Sequence, residues 1–180
     1  ELVMQGYWQN PDATAEAIQD GWLHTGDIGA VDADGHIRIT DRKKDIIVNS
    51  GGDNLSPQRV EGFLTLQPEI AQSMVYGDRR PHIVALLVPD MDFAENWAAA
   101  NGRNSTDLEV LIQDDAFRAE LSAAIDRVNA DLSVIEKVRR FALTAEPFTI
   151  ENGMMTPTLK IRRHVIREKF GDDLEALYGG

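Results

Sequence analysis

Residues 40–57 read TDRKKDIIVNSGGDNLSP, and the rest of the chain is organised around this stretch. Residues 46–48 predict a short buried strand, and Ser56-Pro57 predicts the start of a helix. Gly51-Gly52 supplies backbone that reaches positive φ and lets a ligand approach closely. The guanidinium fork of Arg42 is suited to paired oxygens such as ribose hydroxyls or phosphate. The charges alone also fit an ordinary solvated surface turn.

The composition predicts a globular protein with a strong negative charge. The chain has 180 residues, of which 43% are hydrophobic, and its formal net charge is −12. Because nucleic acids and anionic membranes carry the same sign, this charge argues against both as partners of the whole surface. The charge is uneven: residues 92–132 hold nine acidic and three basic side chains, whereas residues 135–170 hold eight basic and four acidic. We therefore expect an anionic ligand at the C-terminal part.

The cysteine and histidine content limits the chemistry. There is no cysteine, which excludes a disulfide framework or a cysteine nucleophile and fits a reducing compartment. The four histidines, His24, His36, His82 and His164, are scattered without metal-ligand spacing, so no metal site is predicted in this chain. No apolar run is long enough to span a bilayer, and we expect no signal peptide. The predicted localisation is cytoplasmic, with peripheral association at the inner membrane face as an alternative.

The pattern of apolar residues predicts an α+β fold. Residues 84–88 are apolar throughout, which is typical of a strand covered on both faces, so we expect it in the middle of a small sheet with helices around it. Ile28 to Thr40 predicts a β-hairpin with an Asp34-Gly35 turn. The other predicted elements are a strand end at residues 2–4, a helix from the Asn10 cap through Ile18, helices over residues 58–66, 92–132 and 162–170, and strands over residues 71–76, 82–88 and 138–143.

Four motifs, in this order, resemble those of the adenylate-forming (AMP-binding) ligases, in particular the long-chain acyl-CoA synthetases. They are Gly6-Tyr7, Thr25-Gly26-Asp27, the stretch from Asp41 to Gly52, and the stretch from Thr156 to Lys160. Each motif is weak by itself, but together they cover essentially the whole chain. The resemblance implies an enzyme that activates a fatty acid with ATP and Mg²⁺ to an acyl-adenylate and then transfers the acyl group to CoA.

The resemblance also implies roles for individual residues. Asp27 and Arg42 would contact the ribose of the adenylate, with Ile39 near the nucleotide. Lys160, on a mobile loop, would bridge the carboxylate substrate and the α-phosphate as the catalytic lysine. A compact ammonium on a flexible stem suits a contact that is made in only one conformation.

A domain organisation follows from the same resemblance. Residues 1–41 would be a β-rich remnant of a larger N-terminal domain, residues 42–44 a hinge that pivots at Lys44, and residues 45–180 a small C-terminal lid domain. The lid would have a central antiparallel sheet flanked by helices, with residues 92–132 as a helical insertion. Gly51 and Gly52 would flank the CoA tunnel after rotation of the lid. Many relatives carry aspartate at the position of Lys44, and its lysine favours the acyl-CoA branch.

The expected partners are fatty acid, ATP and CoA, together with the N-terminal domain of the same chain. That domain would carry the phosphate loop, the acyl pocket and the metal site, so we expect the chain to be a fragment that is inactive by itself. Two alternatives remain open. One is an adenylation domain or another acid-CoA ligase of the same superfamily; the other is a non-catalytic acidic interaction module, which would need none of Asp27, Arg42 and Lys160.

Overall fold

The computed structural model describes the backbone of residues 3–179 and the side chains of residues 3–39 and 42–179. The chain divides into two compact units, Glu1–Ile46 and Ile47–Gly180. Six helices and nine strands are found in the described residues: α1 Pro11–Ala17, β1 Ile18–Gln19, β2 Trp22–Leu23, β3 Asp27–Val31, β4 Ile37–Arg42, β5 Ile47–Val48, β6 Asn54–Leu55, α2 Pro57–Thr65, β7 Ile70–Tyr76, β8 Ile83–Pro89, α3 Met91–Ala100, α4 Leu108–Leu111, α5 Asp115–Asp131, β9 Val138–Leu143 and α6 Arg163–Ala176. None of these helices has the length and apolar character that a membrane crossing requires.

The first unit is made of one helix and two β-hairpins. Asn10 caps α1 as predicted, accepting a hydrogen bond from Ala13 N at 3.0 Å. The helix ends one residue earlier than expected, because Ile18 leaves it to pair with Leu23 in the hairpin β1–β2. The hairpin predicted from Ile28 to Thr40 is confirmed as β3–β4, with antiparallel pairing. The strand expected at residues 2–4 is not formed at Val3 and Met4, and Leu2 lies outside the described residues.

The second unit is built on the three-stranded sheet β7-β8-β9. Every residue of β8 is buried, as the apolar run predicted, because both faces of the strand are covered. Ile83, Ala85 and Leu87 belong to the core cluster that includes residues of α2, α3, α4 and α5. The alternate residues Val84, Leu86 and Val88 belong to a second cluster with residues of α6. The α+β fold class is therefore confirmed, with β8 at the centre of the sheet.

One pairing in this sheet corrects the expectation of a central antiparallel sheet. β7 and β8 are antiparallel, but β8 and β9 are parallel. The reason is the connection between β8 and β9, which runs through α3, α4 and α5 and returns the chain to the end of the sheet at which β8 begins. A parallel pair requires such a long crossover, whereas an antiparallel pair needs only a short turn. The helical character predicted for residues 92–132 is thus confirmed, as three helices with acidic N-caps.

The end of α6 is held by a polar cluster. Glu175 accepts hydrogen bonds from Tyr76 and Arg80, and Tyr178 Oη donates to His82 O at 3.0 Å. The hydrogen bonds from Arg80 and Tyr76 lower the pKa of Glu175 below its usual range. Burial, and then the charges of Arg140 and Arg139, lower the pKa of His82. This cluster fastens the last turn of α6 to the β7–β8 connection, and α6 extends beyond the predicted end at residue 170.

Candidate functional site

A cleft of about 660 Å³ lies in the first unit. Its walls come from α1, β1, the turn before β3 and the end of β4. The residues that line it are Tyr7, Ala13, Glu16, Ala17, Gln19, His24, Thr25, Gly26, Asp27, Arg42, Lys43 and Lys44. Both predicted ribose contacts, Asp27 and Arg42, and the predicted pivot, Lys44, are therefore on its surface.

Asp27 and Arg42 form an ion pair across the β3–β4 hairpin. They are opposite each other in the antiparallel register, and Arg42 Nε lies 2.8 Å from Asp27 Oδ1. Their side chains are 24% and 53% exposed, respectively, so solvent or a ligand reaches both groups. A carboxylate accepts hydrogen bonds from hydroxyls, and a guanidinium donates to them. The pair can thus offer a vicinal diol both acceptors and donors from one wall of the cleft.

The turn that precedes Asp27 is shaped by its neighbours. Gly26 has a φ of +73°, a conformation that glycine adopts without steric cost. Thr25 Oγ1 accepts a hydrogen bond from Asp27 N at 3.2 Å, and Gly26 O accepts one from Lys43 N at 2.7 Å. The tripeptide Thr25-Gly26-Asp27 is therefore joined to the backbone that follows Arg42, which holds the two charged residues at the same end of the hairpin.

Ile39 does not line this cleft. Its side chain is 61% exposed and shares one face of the hairpin with Val31 and Ile37, since Gly29 pairs with Ile39 and Val31 pairs with Ile37. The proximity of Ile39 to a nucleotide stays a prediction.

Lys44 lies in the turn between β4 and β5. Arg42 O accepts hydrogen bonds from Asp45 N at 3.0 Å and from Ile46 N at 3.2 Å, which closes the turn around Lys44. The sequence boundary between the two compact units falls two residues later, between Ile46 and Ile47. Lys44 itself is exposed. Rotation about this residue stays a prediction.

In the second unit, the predicted glycine loop is closed by one asparagine. Asn49 Oδ1 accepts hydrogen bonds from Gly51 N and Asp53 N, both at 2.9 Å, and Asn49 Nδ2 donates to Asp53 Oδ2 at 3.0 Å. Gly52 has a φ of +87°, which a residue with a side chain rarely adopts. Both glycines are exposed. The loop thus presents bare backbone to solvent on a fixed base.

The glycine loop is also tied to the β7–β8 connection. Ser50 N donates to Arg80 O at 3.0 Å, and Arg79 N donates to Val48 O at 2.7 Å. Val48 N in turn donates to Asp78 Oδ1 at 3.2 Å. The strand predicted over residues 46–48 forms at Ile47 and Val48, and of these two residues Ile47 is buried but Val48 is 40% exposed.

The predicted catalytic lysine lies on a tight loop ahead of α6. Thr156 N donates to Lys160 O at 2.8 Å, and Lys160 N donates to Thr156 Oγ1 at 3.1 Å, so the two residues close the loop from both sides. Leu159 has a φ of +58°, an uncommon conformation for a leucine that stores strain in the loop. Lys160 is exposed. An exposed ammonium on a closed loop is available to a ligand or a second surface.

The base of this loop, residues 156–160 and called the lysine loop below, is held by a contact that the sequence did not predict. Arg163, the first residue of α6, forms a two-point ion pair with Glu61 of α2, with Nη1–Oε1 at 2.7 Å and Nη2–Oε2 at 2.6 Å. Glu61 is only 9% exposed and also accepts a hydrogen bond from Val75 N at 2.7 Å. Its neighbours in α2, Val60 and Leu64, face the core, and an acidic residue within that apolar run was the available signal.

An acidic group at the tip of the β3–β4 hairpin has metal-ligand geometry. One ligand atom from each of Asp32, Asp34 and His36 lies within 4.8 Å of the others, and all three residues are exposed. The arrangement is explained by the turn, because Asp32 Oδ1 accepts from His36 N at 2.8 Å and from Asp34 N at 3.0 Å. The hydrogen bond from His36 N lowers the pKa of the Asp32 carboxyl. These contacts account for the group without an ion.

Comparison with known proteins places the chain in a family. The family model described as "AMP-binding enzyme C-terminal domain" matches residues 44–180. Long-chain-fatty-acid–CoA ligase FadD15 of Mycobacterium tuberculosis is 43% identical over 178 residues, which are 98% of this chain and 30% of that protein. Human long-chain-fatty-acid–CoA ligase 6 is 35% identical over 180 residues, which are 98% of this chain and 26% of that protein. The chain thus spans less than a third of these relatives.

Solved structures agree with this assignment. The adenylation domain of a carboxylate reductase from Mycobacterium chelonae superposes with a TM-score of 0.83 at 28% identity, over 98% of this chain and 26% of that one. The corresponding domain from Segniliparus rugosus, solved in complex with AMP and a co-purified carboxylic acid, gives a TM-score of 0.82 at 26% identity, with the same shares of the two chains. The chain belongs to the AMP-binding, adenylate-forming enzymes and is similar to the C-terminal part of their long-chain fatty-acid–CoA ligases.

Proposed function

We propose that the chain is the nucleotide-gripping and lid part of a long-chain fatty-acid–CoA ligase. Such an enzyme uses ATP to convert a fatty acid to an acyl-adenylate and pyrophosphate, and then transfers the acyl group to the thiol of CoA. The observation that carries the proposal is the Asp27–Arg42 pair on the wall of the 660 Å³ cleft. The named long-chain ligases that match 98% of this chain support the choice of substrate class.

The cleft fits the ribose of an adenylate. The Asp27 carboxylate is placed to accept hydrogen bonds from the two ribose hydroxyls, and the Arg42 guanidinium beside it donates to the same region. Their 2.8 Å contact holds both side chains in position before the nucleotide arrives. Orientation of this kind lowers the entropy that must be lost on the way to the transition state. No residue of this chain is proposed as a Mg²⁺ ligand, and the rest of the enzyme would bind the metal.

Lys160 supplies the electrostatic part of adenylation in this proposal. Negative charge develops between the carboxylate substrate and the α-phosphate, and a positioned ammonium stabilises it. Rotation about Lys44 then removes Lys160 and brings the face that carries Gly51 and Gly52 to the site. The bare backbone of these two glycines fits the close approach of a slender group such as pantetheine.

The test compares the two half-reactions of the full-length enzyme in single-turnover experiments. Lys160→Ala is expected to slow adenylation by about 10²- to 10³-fold, or roughly 3 to 4 kcal/mol, and to spare thioester formation from added acyl-adenylate. Lys44→Pro is expected to do the reverse, because a fixed φ at the pivot hinders rotation. Lys169→Ala is the matched control, since this exposed lysine of α6 pairs with Glu146. Equal slowing of both steps by Lys160→Ala would contradict the proposal.

The same assay separates ligase from adenylation domain. A fatty-acid–CoA ligase forms the thioester with free CoA, whereas an adenylation domain delivers the acyl group to the pantetheine of a carrier protein. The carboxylate reductase neighbours make this second acceptor worth testing, although their identity to this chain is lower than that of the ligases. Transfer to a carrier protein in the absence of transfer to CoA would favour the alternative.

A further inference from the structure

The Glu61–Arg163 pair is unusually well defined for a contact between distant parts of the chain. Both carboxylate oxygens of Glu61 face the guanidinium fork, and Arg163 Nη1 lies 3.4 Å from Val75 O as well. The Arg163 and Glu61 side chains are only 20% and 12% exposed. A two-point contact fixes the direction of the arginine as well as its distance. The start of α6 is therefore held against α2 and β7 in one orientation.

This anchor lies three residues from Lys160. The intervening backbone is also fixed, because Arg162 N donates to Met154 O at 2.7 Å and Met155 pairs with Ile161 in an isolated bridge. Met154 is buried, with 1% exposure. The two sides of the loop are thus joined at Met155 and Ile161, and Arg163 holds this base, while the neighbouring Lys160 side chain remains exposed.

Stability alone is a weak explanation of such a pair. The cost of removing two charges from water commonly offsets their attraction, and apolar replacements of buried pairs are often as stable. Arg127 and Glu69 offer a comparison in the same unit, with one contact of 2.7 Å between Arg127 Nη2 and Glu69 Oε1. Glu69 Oε2 has no hydrogen-bond partner among the described residues, so that pair is less fully constrained. The two-point geometry at Glu61 is of the kind that fixes the position of Arg163 and of the backbone that carries it.

We propose that Glu61 and Arg163 are positioning residues that hold the lysine loop so that Lys160 meets the reacting carboxylate and phosphate in the correct place. This inference rests on the proposed role of Lys160 in adenylation. A displacement of about 1 Å at a reacting group can cost on the order of 10²-fold in rate. The pair acts only through Lys160 and touches no substrate.

The experiment replaces the pair in the full-length enzyme, with and without Lys160. Glu61→Gln/Arg163→Met removes both charges together, so that no unpaired charge is left in the core. We expect adenylation to fall roughly 10- to 100-fold and thioester formation from added acyl-adenylate to be unchanged. In the Lys160→Ala background the same double substitution should cause no further fall in adenylation. Arg163→Lys keeps the charge but loses the fork, and we expect an intermediate loss.

The matched control is Glu69→Gln/Arg127→Met, which removes the other pair without touching the lysine loop. Thermal unfolding of each variant shows whether it is folded at the assay temperature. The proposal would be overturned if Glu61→Gln/Arg163→Met slowed both half-reactions in proportion and the control double variant did the same. The Glu61–Arg163 pair would then have a purely structural role. A further fall in the Lys160→Ala background would also overturn it. Failure of the proposed function is distinguishable, since Lys160→Ala by itself would then leave adenylation intact.

Discussion

Asp27–Arg42 and Glu61–Arg163 are both arginine–carboxylate pairs, yet solvent reaches the first and is largely excluded from the second. In the first unit, none of the described side chains of residues 3–39 and 42–46 is buried, and the pair lies open on a cleft wall. In the second unit, the pair joins α2, β7 and α6 inside the core. The same two chemical groups are therefore suited to different tasks. An exposed pair is available to a ligand, whereas a buried pair fixes the relative position of the elements that it joins.

The largest expected effect comes from breaking the buried pair on one side. Arg163→Ala leaves the Glu61 carboxylate in the core without its guanidinium, and we expect a loss of about 3 to 5 kcal/mol in the free energy of unfolding of the second unit. Chemical denaturation followed by circular dichroism measures it. Glu61→Gln/Arg163→Met should recover most of that loss. If the single and double variants are equally unstable, charge is not the cause and the comparison with Asp27–Arg42 fails.

The exposed pair should behave differently. Arg42→Ala is expected to change the free energy of unfolding by only about 0 to 1 kcal/mol, the range for solvent-exposed ion pairs. It should nevertheless weaken AMP binding by the full-length enzyme roughly 10-fold or more, because a charge-assisted hydrogen bond is lost. Calorimetric titration with AMP and denaturation of the same variant give the two numbers. Arg38→Ala, on the same strand but outside the cleft lining, is the matched control.

The smallest effect concerns Arg80–Glu175, a pair in the second unit that is as exposed as Asp27–Arg42, at 41% and 38%. Because the folded state lowers the pKa of Glu175, the pair contributes stability above the ordinary pKa of that carboxyl, near 4.5, and loses it as the pH falls through the folded value. Glu175→Gln should therefore show a slightly smaller drop in unfolding temperature between pH 6 and pH 3 than the unchanged chain. A much smaller drop in the variant would mean that location, more than exposure, sets the strength of a pair, and a larger drop than in the unchanged chain would contradict a stabilising role for ionised Glu175.

His82 adds to the same pH dependence from the other side of the cluster. Its folded pKa is below the ordinary 6.5, so the unfolded chain binds a proton first as the pH falls, and stability declines below about pH 6.5. His82→Gln removes that proton uptake and separates it from the titration of Glu175. The two substitutions together should flatten the decline more than either one does.

The local elements were predictable because their signals are local. The Asn10 and Ser56 caps, the β3–β4 hairpin and the fully buried β8 each follow from a few adjacent residues, and the structure confirms them. The parallel pairing of β9 was not predictable in this way. The residues of β9 do not by themselves specify the direction of pairing, and only the path of the intervening helices decides that β9 lies parallel to β8.

The site residues could be predicted where their type indicates a chemical role. They could not be predicted where their contact depends on how distant elements pack. Asp27 and Arg42 were singled out by motif, and the structure brings them together across the hairpin. Glu61 and Arg163 were not, because an acidic residue beside apolar ones in α2 and an arginine in a basic helix do not by themselves indicate that the two residues meet. Their contact depends on how α2 and α6 are arranged around β7, which no local rule gives. The roles of Asp27 and Arg42 at a ribose stay predictions, as do those of Lys160, Lys44, Ile39 and Gly51-Gly52.

The distance along the chain between Glu61 and Arg163 has a consequence for the order of folding. The contact spans 102 residues, so it closes only after most of the second unit has been made. At a synthesis rate of about 5 to 20 residues per second, Arg163 is synthesised roughly 5 to 20 seconds after Glu61. Closing so long a loop is slow, because its entropy is lost before the ion pair forms and stabilises the fold. The lysine loop should therefore be among the last parts of the second unit to acquire its shape.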